Sequence, residues 1–253
     1  MLSVPVRIAY TIYAAALFLA LGLCALLLAL LLPVVEWRRA VARAIARAFL
    51  WSVGMPLSIK SAERLPSGQC VVVANHASYL DGLVFTAALP ARFGFVIKRE
   101  MAAVPLAGLL LRRLGSQFVE RFNRNRSAAD ARRMLRNAST GQSLVFFPEG
   151  TFTRTPGLLK FHTGAFAFAA RARCPVVPAV VRGTRVALSP RGRLPRPGRI
   201  EVQILQPLTP RSQPPEEAVR ELRDRAREAI LHELGEPDRA TPDVATRQRI
   251  AQR

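Results

Sequence analysis

The chain has 253 residues, half of them hydrophobic, and its formal net charge is +20. This length suits one sizeable domain with additions, and so large a positive excess indicates an anionic partner: nucleic acid, anionic lipid or an acidic protein. The three cysteines are far apart and odd in number, which predicts no disulfide framework. The chain has no metal-ligand spacing and no G-x-S-x-G, Walker A or G-x-G-x-x-G motif, so we expect neither a metal nor a bound cofactor.

The N-terminal stretch decides among the anionic partners. From Ile8 to Val35 there is no charged residue, and about 18 such residues are enough to cross a bilayer. The run is longer than the core of a signal peptide, which has about 7–15 residues. Arg7 alone precedes it and several arginines follow, so the positive-inside rule places the remaining chain at the cytoplasmic face of a membrane, such as a bacterial inner membrane. Gly22 and Pro33 leave a re-entrant hairpin open as the alternative to a span. Nucleic acid is not the expected partner.

Residues 34–52 show the periodicity of an amphipathic helix, because Val34, Trp37, Val41, Ile45 and Phe49 recur at helical spacing. Two placements are compatible with this pattern. The helix lies in the membrane interface with Trp37 and Phe49 at the acyl boundary, or it packs its apolar stripe on a folded domain. Residues 1–54 are therefore predicted to form a membrane anchor with an interfacial helix.

From Leu57 onward the pattern is that of an α/β domain, predicted to cover residues 55–210. Apolar strands alternate with helices, which favours a largely parallel or mixed sheet covered by helices on both faces. The predicted strands are Leu57–Lys60, Cys70–Ala74, Gly94–Ile97, Ser116–Glu120, Ser143–Phe147, Val176–Val181 and Ile200–Leu205. The predicted helices are Leu80–Ala88, Val104–Leu114, Ser127–Asn137 and Gly164–Arg173.

The C-terminal part begins with a Pro/Gly/Arg-rich loop, Arg185–Arg199. That loop could dock an acidic carrier protein, rest on anionic lipid, or simply be solvated. A final amphipathic helix is predicted from Pro215 to Leu234, ended by Gly235, within a unit at 211–235. Residues 236–253 are polar and are predicted to form a disordered tail.

The first candidate site follows the strand Cys70–Ala74. His76 comes directly after this strand, and Asp81 lies five residues later. Residues five apart do not face each other on a regular helix, so the two side chains meet only if a turn intervenes. Asp81 would then accept the Nδ1 proton of His76 and leave Nε2 as a general base. With no serine or cysteine elbow in the chain, the group to be deprotonated is a substrate hydroxyl.

Two later stretches repeat the design of a strand that ends in polar residues. Glu149 and Gly150 follow the strand Ser143–Phe147, at a point where an acid can hydrogen-bond substrate hydroxyls and glycine permits close approach. Arg121 follows the strand Ser116–Glu120, and its guanidinium suits a phosphate. In a chain this rich in arginine, a surface position is the competing interpretation for Arg121.

These stretches resemble the four sequence blocks of the glycerolipid acyltransferase family, which includes 1-acylglycerol-3-phosphate acyltransferases. Asn75–Asp81 matches its N-H-x4-D block, and Gly115–Arg121 is similar to G-x-x-F-I-D-R with Glu120 in place of Asp. Phe147–Thr151 matches F-P-E-G-T, and Val176–Ala179 resembles the final V-x-P block. The blocks occur in the family's order and cover about residues 55 to 210.

The resemblance implies a membrane-bound O-acyltransferase in phospholipid biosynthesis. His76, oriented by Asp81, would deprotonate the hydroxyl of a lysophospholipid, most simply 1-acylglycerol-3-phosphate, for attack on the thioester of acyl-CoA or acyl carrier protein. Arg121 would hold an acceptor phosphate. The remaining implied substrate-binding residues are Asn75, Glu149, Gly150 and Thr151.

One position departs from the family pattern, since the third block usually continues with arginine and this chain has Phe152. Another lysophospholipid or a hydroxyl-bearing aminolipid is therefore an alternative acceptor. Two further alternatives stay open: a lipid esterase in which His76 activates Ser78, and a non-catalytic binder of anionic lipid.

Overall fold

The structure is a computed structural model that describes residues 4–120, 141–189, 194–209 and 215–240. The predicted helix Ser127–Asn137 and the candidate phosphate ligand Arg121 lie outside the described residues.

The described helices and strands follow the predicted order. The helices are α1 (Val4–Leu31), α2 (Val35–Ser52), α3 (Asp81–Ala88), α4 (Ala107–Arg113), α5 (Gly164–Ala172), α6 (Thr184–Ala187) and α7 (Pro215–Leu234), with short 3-10 helices at Ala62–Arg64 and Arg99–Ala103. The strands are β1 (Leu57–Lys60), β2 (Val71–Ala74), β3 (Phe93–Lys98), β4 (Gln117–Val119), β5 (Ser143–Phe146), β6 (Leu158–Leu159), β7 (Val176–Arg182), β8 (Ile200–Ile204) and β9 (Asp238–Arg239).

Seven strands form one mixed sheet in the order β1-β8-β7-β2-β5-β3-β4. All neighbours are parallel except β7 and β8, which are antiparallel. The seven predicted strands are therefore confirmed to within one or two residues. Because β2 and β5 are parallel neighbours, the turns that follow them lie side by side at the carboxyl edge of the sheet.

Helices cover both faces of this sheet, as the continuous apolar strands predict. Along β2, Val72 and Ala74 point into a core shared with α1, α2 and α3, whereas Val71 and Val73 point into a core shared with α5 and α7. This alternation follows from the two-residue period of a strand. The burial of both faces explains why β2 contains no polar residue.

The N-terminal helices form a hairpin that packs on the domain. Among the described residues, α1 alone is long and apolar enough to cross a membrane. Near its start, the hydroxyls of Tyr10 and Tyr13 donate to the carbonyls of Val53 and Ser52, where α2 ends. Because α2 leads directly into β1, these contacts hold the beginning of α1 beside the domain.

Carbonyls at the end of α1 and just beyond it have arginine partners. Arg113 of α4 donates to the carbonyls of Ala29 and Leu30, and Arg38 of α2 donates to those of Leu32 and Pro33. The last carbonyls of a helix lack partners within the helix, and cations near this end are stabilising. α1 is therefore attached to the rest of the chain at both ends.

The structure corrects one predicted lipid contact. The apolar stripe of α2 packs on α3, and Phe49 is only 6% exposed, with its ring centroid 5.6 Å from that of Phe18 on α1. The placement of Phe49 at the acyl boundary is therefore wrong. Trp37 is exposed, so the interfacial position proposed for its side chain stays a prediction.

The structure also differs from three expectations elsewhere in the chain. α4 begins at Ala107 rather than Val104, because Pro105 holds the preceding Val104 in an extended conformation. Residues 236–240 of the predicted disordered tail are ordered, because β9 pairs with β6, and the rest of that tail lies outside the described residues. The basic loop starts with helix α6, and its Arg185 is ion-paired with Glu236 rather than solvated.

Candidate active site

His76 and Asp81 lie in contact at the carboxyl edge of the sheet. The His76 Nδ1 is 2.7 Å from the Asp81 Oδ2. The same oxygen accepts hydrogen bonds from the backbone N–H groups of Ala77 at 2.6 Å and Ser78 at 2.9 Å. Asp81 is the first residue of α3 and is fully buried, so β2 and the turn bring the two side chains together as the spacing predicts.

This contact sets the tautomer of the imidazole. An ionised carboxylate only accepts hydrogen bonds, so the proton between the two groups belongs to Nδ1 of His76. Nε2 then carries the free lone pair and can act as a base. The fixed carboxylate of Asp81 would stabilise the imidazolium that forms.

Aromatic side chains surround the His76 imidazole. Phe147 stacks against it with ring centroids 4.5 Å apart, and Phe152 approaches it edge-on at 4.4 Å. Phe152 also contacts the exposed Tyr79, with centroids 4.8 Å apart. The residue that departs from the family pattern therefore lies directly beside the candidate base.

Glu149 has a different position from the one predicted. It is only 4% exposed, and its two carboxylate oxygens accept backbone N–H groups from His76 at 2.6 Å and Leu159 at 2.8 Å. Burial raises the pKa of this carboxyl to about 7, against the lowering effects of the two hydrogen bonds and of Arg185. Glu149 thus joins two segments of the backbone. Its oxygens accept backbone N–H groups, whereas the sequence predicts that they contact a substrate hydroxyl.

Gly150 and Thr151 do line the cavity at His76. Gly150 has a φ of +72°, and a Cβ at this position would lie 3.1 Å from Cδ2 of His162. Glycine is therefore required both by the backbone conformation and by the space.

Asn75 also differs from its predicted role. The amide is 2% exposed, its Nδ2 donates to the Val181 carbonyl at 3.0 Å, and its Oδ1 accepts the Val181 N–H at 2.8 Å. Asn75 thus extends the pairing of β2 with β7 beyond the end of β2. Both polar atoms of its side chain are thus used to hold the turn, and the predicted substrate contact stays a prediction.

The geometry of Ser78 does not suit a nucleophile. Ser78 is fully buried, and its hydroxyl donates to the Leu188 carbonyl at 2.7 Å and accepts the Leu80 N–H at 3.2 Å. A nucleophilic serine needs its hydroxyl within reach of the base and of the substrate. The esterase alternative is therefore not supported.

A cavity of about 1390 Å³ opens at His76 and extends between the sheet and helices α1 to α4. Small-molecule sites usually have about 300–1,000 Å³. The lining is apolar over most of its length, with residues such as Phe18 of α1, Phe49 of α2 and Leu110 of α4. Such a volume suits a hydrocarbon chain.

Three cationic residues, Arg39, Lys98 and Arg154, also line the cavity, and the guanidinium of Arg39 already donates to the carbonyls of Leu114 and Arg92. Lys98 ends β3, and its ammonium lies 3.0 Å from Glu100 Oε1. Lys98 was missed by the sequence analysis, although it is one of only three lysines and ends a strand parallel to β5. Within the described ranges, no group of three or more His, Cys, Asp or Glu side chains could hold a metal ion.

The family that this site defines follows from its sequence and structural relatives. Residues 57–182, about half of the chain, match the family model described as Acyltransferase. Both turns lie within this range. Residues 57–182 therefore belong to the acyltransferase family.

Individual relatives share one description. The 1-acyl-sn-glycerol-3-phosphate acyltransferase alpha of Bos taurus is 31% identical over 180 residues, covering 70% of this chain and 62% of that protein. The 1-acyl-sn-glycerol-3-phosphate acyltransferase of Cocos nucifera is 29% identical over 163 residues, covering 64% of this chain and 53% of that protein. The chain thus spans between about half and two thirds of the length of these relatives.

A solved structure shows the same fold. The crystal structure of the 1-acyl-sn-glycerophosphate (LPA) acyltransferase PlsC from Thermotoga maritima superposes with a TM-score of 0.69 at 22% identity. The match covers 88% of this chain and 94% of that one, so it includes more than the family domain.

Proposed function

We propose that this chain is a membrane-associated O-acyltransferase that moves a fatty acyl group from a thioester to the hydroxyl of a lysophospholipid. The observation that carries the proposal is that His76, held by Asp81, lines a large apolar cavity. A base beside a cavity for a hydrocarbon chain suits a reaction in which one substrate carries a hydroxyl and another a fatty acyl chain.

In the proposed reaction, Nε2 of His76 takes the proton of the acceptor hydroxyl as its oxygen attacks the thioester carbonyl. The new C–O bond gives a tetrahedral intermediate, which collapses as the C–S bond breaks. The imidazolium then gives its proton to the departing thiolate, so the products are an ester and a free thiol. Asp81 stays ionised and stabilises the imidazolium throughout. The donor is acyl-CoA or acyl carrier protein.

The acceptor that we favour is 1-acylglycerol-3-phosphate. The relatives described above carry this activity in their names, and Lys98 and Arg154 place positive charge in the cavity for a phosphate. Arg121 is a further candidate for this contact. A second acceptor class, another lysophospholipid or a hydroxyl-bearing aminolipid, is favoured by one observation: Phe152, at the position of the usual arginine, lies against His76.

The N-terminal hairpin provides the proposed membrane attachment. Because both ends of α1 are bound to the domain, we favour a hairpin embedded from one side over a helix that crosses the bilayer. The cytoplasmic face is the proposed side, since arginines follow α1.

Purified full-length protein in mixed micelles tests the reaction. Wild type should release thiol from acyl-CoA or acyl carrier protein in the presence of a lyso-lipid, and His76→Ala should not. If the two proteins release thiol at equal rates with every acceptor, the proposal is wrong.

The acceptor is tested by a panel of lyso-lipids with wild type and Phe152→Arg. If lysophosphatidate is the acceptor, it gives the highest kcat/KM with wild type, and added arginine lowers its KM further. If the second class is correct, wild type prefers a lipid without the terminal phosphate, and Phe152→Arg shifts the preference toward lysophosphatidate.

A further inference from the structure

The segment between β3 and β4 lines the cavity with some of its apolar side chains and exposes others at the surface. It consists of the 3-10 helix Arg99–Ala103, a turn at Pro105–Leu106, and α4. We call residues 99–113 the wedge. Its exposed large apolar side chains are those of Met101, Val104, Leu106 and Leu109.

Leu106, at the tip of the wedge, has a strained backbone. Its φ and ψ are +59° and −54°, and the Ala107 N–H donates to the Pro105 carbonyl at 2.6 Å. This is the rare γ-turn with positive φ, which is strained for any residue with a side chain. Residues held in such conformations carry about 1–3 kcal/mol of strain and cluster at functional positions. Glycine would adopt this turn more readily, yet the chain has a leucine that is 63% exposed.

The wedge is rigid around this tip. A Cβ on Gly108 would lie 2.4 Å from the Ala102 carbonyl oxygen, so the first turn of α4 touches the 3-10 helix. Arg112 fastens the same contact by donating to the Ala102 carbonyl at 2.9 Å. The leucine is therefore presented by a preformed structure that keeps the strained turn in place.

The surroundings of the wedge identify its partner. α4 packs on α1, and Arg113 donates to the carbonyls of Ala29 and Leu30 at 3.0 Å each. The exposed side chains of the wedge therefore lie on an element adjacent to α1, which has exposed apolar side chains of its own, and Met101 and Ala107 also line the cavity. Arg112 and Arg113 lie at the base of the wedge, where anionic head groups would meet them.

We propose that the wedge is a second lipid-embedded element, in which Leu106 and its apolar neighbours enter the acyl layer of the bilayer beside α1. The proposal rests on the membrane attachment described above but not on acyl transfer. A single helix hairpin in the membrane would leave the domain free to rotate about the axis of the hairpin. A second, separate lipid contact at the wedge would remove this freedom and fix the orientation of the domain against the bilayer.

Fluorescence labelling of the full-length chain in vesicles tests this placement. Cys24 on α1 is exposed, whereas Cys70 and Cys174 are buried, and burial raises the pKa of both thiols, to about 11 for Cys174. An environment-sensitive dye can therefore be placed on Cys24, or on Leu106→Cys or Asp224→Cys in a Cys24→Ser background. Asp224 on α7 is the control, because its side chain is 64% exposed on the other face of the sheet.

In phosphatidylcholine–phosphatidylglycerol vesicles, we expect the dye at position 106 to shift to shorter wavelength and to be quenched by brominated acyl chains, as the dye on Cys24 is. The dye at position 224 should show neither change. Quenching at Cys24 without quenching at 106 overturns the proposal. A shift at 106 without bromine quenching also overturns it, since that result indicates contact with protein, such as a second copy of the chain.

Two substitutions separate insertion from folding. Leu106→Gly removes the strain, so its melting temperature in detergent should be at least that of wild type. Leu106→Asp should abolish bromine quenching of a dye at Val104→Cys while the dye on Cys24 stays quenched in the matched background. A lower melting temperature for Leu106→Gly, or unchanged quenching at 104 in Leu106→Asp, contradicts the proposed role of the leucine. Loss of acyl transfer alone would bear on the proposed function and not on this placement.

Discussion

Two buried carboxylates close the two neighbouring turns at the carboxyl edge of the sheet, but they hold different parts of the chain. Asp81 binds the His76 imidazole and the N–H groups of Ala77 and Ser78, all within five residues of itself. Glu149 binds the N–H of His76, 73 residues away, and that of Leu159, ten residues away. Asp81 therefore orients a reactive side chain within a local turn, whereas Glu149 fixes how two distant segments meet.

The largest effect is expected at the first carboxylate. In Asp81→Asn the side chain keeps its shape but loses the charge that stabilises the imidazolium, so kcat should fall by about 10²–10⁴-fold. The melting temperature should change little, because the amide oxygen still accepts hydrogen bonds from the turn. A kcat within about tenfold of wild type would contradict the assigned role, since general-base catalysis contributes at least about 10².

The second carboxylate should show a mixed effect. In Glu149→Gln, the amide nitrogen faces a backbone N–H, so one of the two hydrogen bonds is replaced by a clash of donors. The backbone of His76 then shifts, and kcat should fall by about 10- to 100-fold, since small misplacements of a catalytic group have effects of this size. Equal kcat in the variant and wild type would show that Glu149 does not position His76.

The stability of the Glu149→Gln variant gives a separate test through pH. Burial raises the pKa of Glu149 from 4.5 to about 7, so the folded state keeps a proton that the unfolded chain has lost between these values. The contribution of Glu149 to the wild-type free energy of unfolding should therefore decrease as pH rises from about 4.5 to about 7. The variant lacks this titration, so the stability difference, wild type minus variant, should decrease over that window in urea titrations. A difference that increases with pH would reverse the assigned cause.

Gly150 in the second turn and Gly82 at the start of α3 provide a comparison with opposite signs. Gly150→Ala puts a side chain at a φ of +72° and against His162, and should destabilise the fold by about 1–2 kcal/mol. Gly82 is the second residue of α3, and no atom lies within 4 Å of the Cβ that Gly82→Ala would add. This substitution should therefore stabilise the fold by up to about 1 kcal/mol. Thermal unfolding distinguishes the two variants, and equal shifts in their melting temperatures would contradict the difference between the two positions.

The smallest effect concerns the segment that supports the second turn. Glu236 lies 3.2 Å from Arg185, accepts the Gly157 N–H at 2.6 Å, and so holds the loop that carries Phe152. The pair Arg182–Glu233, at 3.1 Å, lies next to it but does not touch this loop. Glu236→Ala and Glu233→Ala should each lose no more than about 1 kcal/mol of stability, the usual upper value for partly exposed pairs.

Only Glu236→Ala should raise the acceptor KM, because only Glu236 contacts the loop beside His76. Glu236→Gln, which keeps an oxygen for the Gly157 N–H, should restore part of the loss. If Glu233→Ala raises the acceptor KM as much, the effect comes from general loosening of the C-terminal part.

The sequence predicts the first turn better than the second, and the reason is the range of the contacts. The His76–Asp81 contact depends on five consecutive residues after an apolar strand, so its spacing is visible in the sequence. The partners of Glu149 and Asn75 lie far along the chain or on other strands, and nothing in either motif says whether a polar atom faces substrate or a backbone group. The motifs therefore predict substrate contacts for both residues, although their polar atoms bind the backbone.

The strands and their two-sided burial are predictable because each strand is short, apolar and bounded by turn residues. The position of β9 is not predictable, because Asp238 and Arg239 have no apolar pattern. They pair with β6 through backbone hydrogen bonds between segments that only the folded chain brings together. The stripe of α2 shows the same limit: its periodicity predicts an amphipathic helix, but the packing on α3 decides that Phe49 is buried.

The attachment of α1 at both ends has a consequence for how the cavity can widen. Helices ordinarily fray at their ends, whereas here tyrosines and arginines anchor both termini and the cavity-lining middle contains small residues such as Ala15, Gly22 and Ala25. Widening of the cavity would therefore bend α1 at its middle rather than displace one of its ends as a rigid body. Amide hydrogen exchange should accordingly be faster around Gly22 than near Tyr13 or Ala29, the reverse of the usual gradient along a helix.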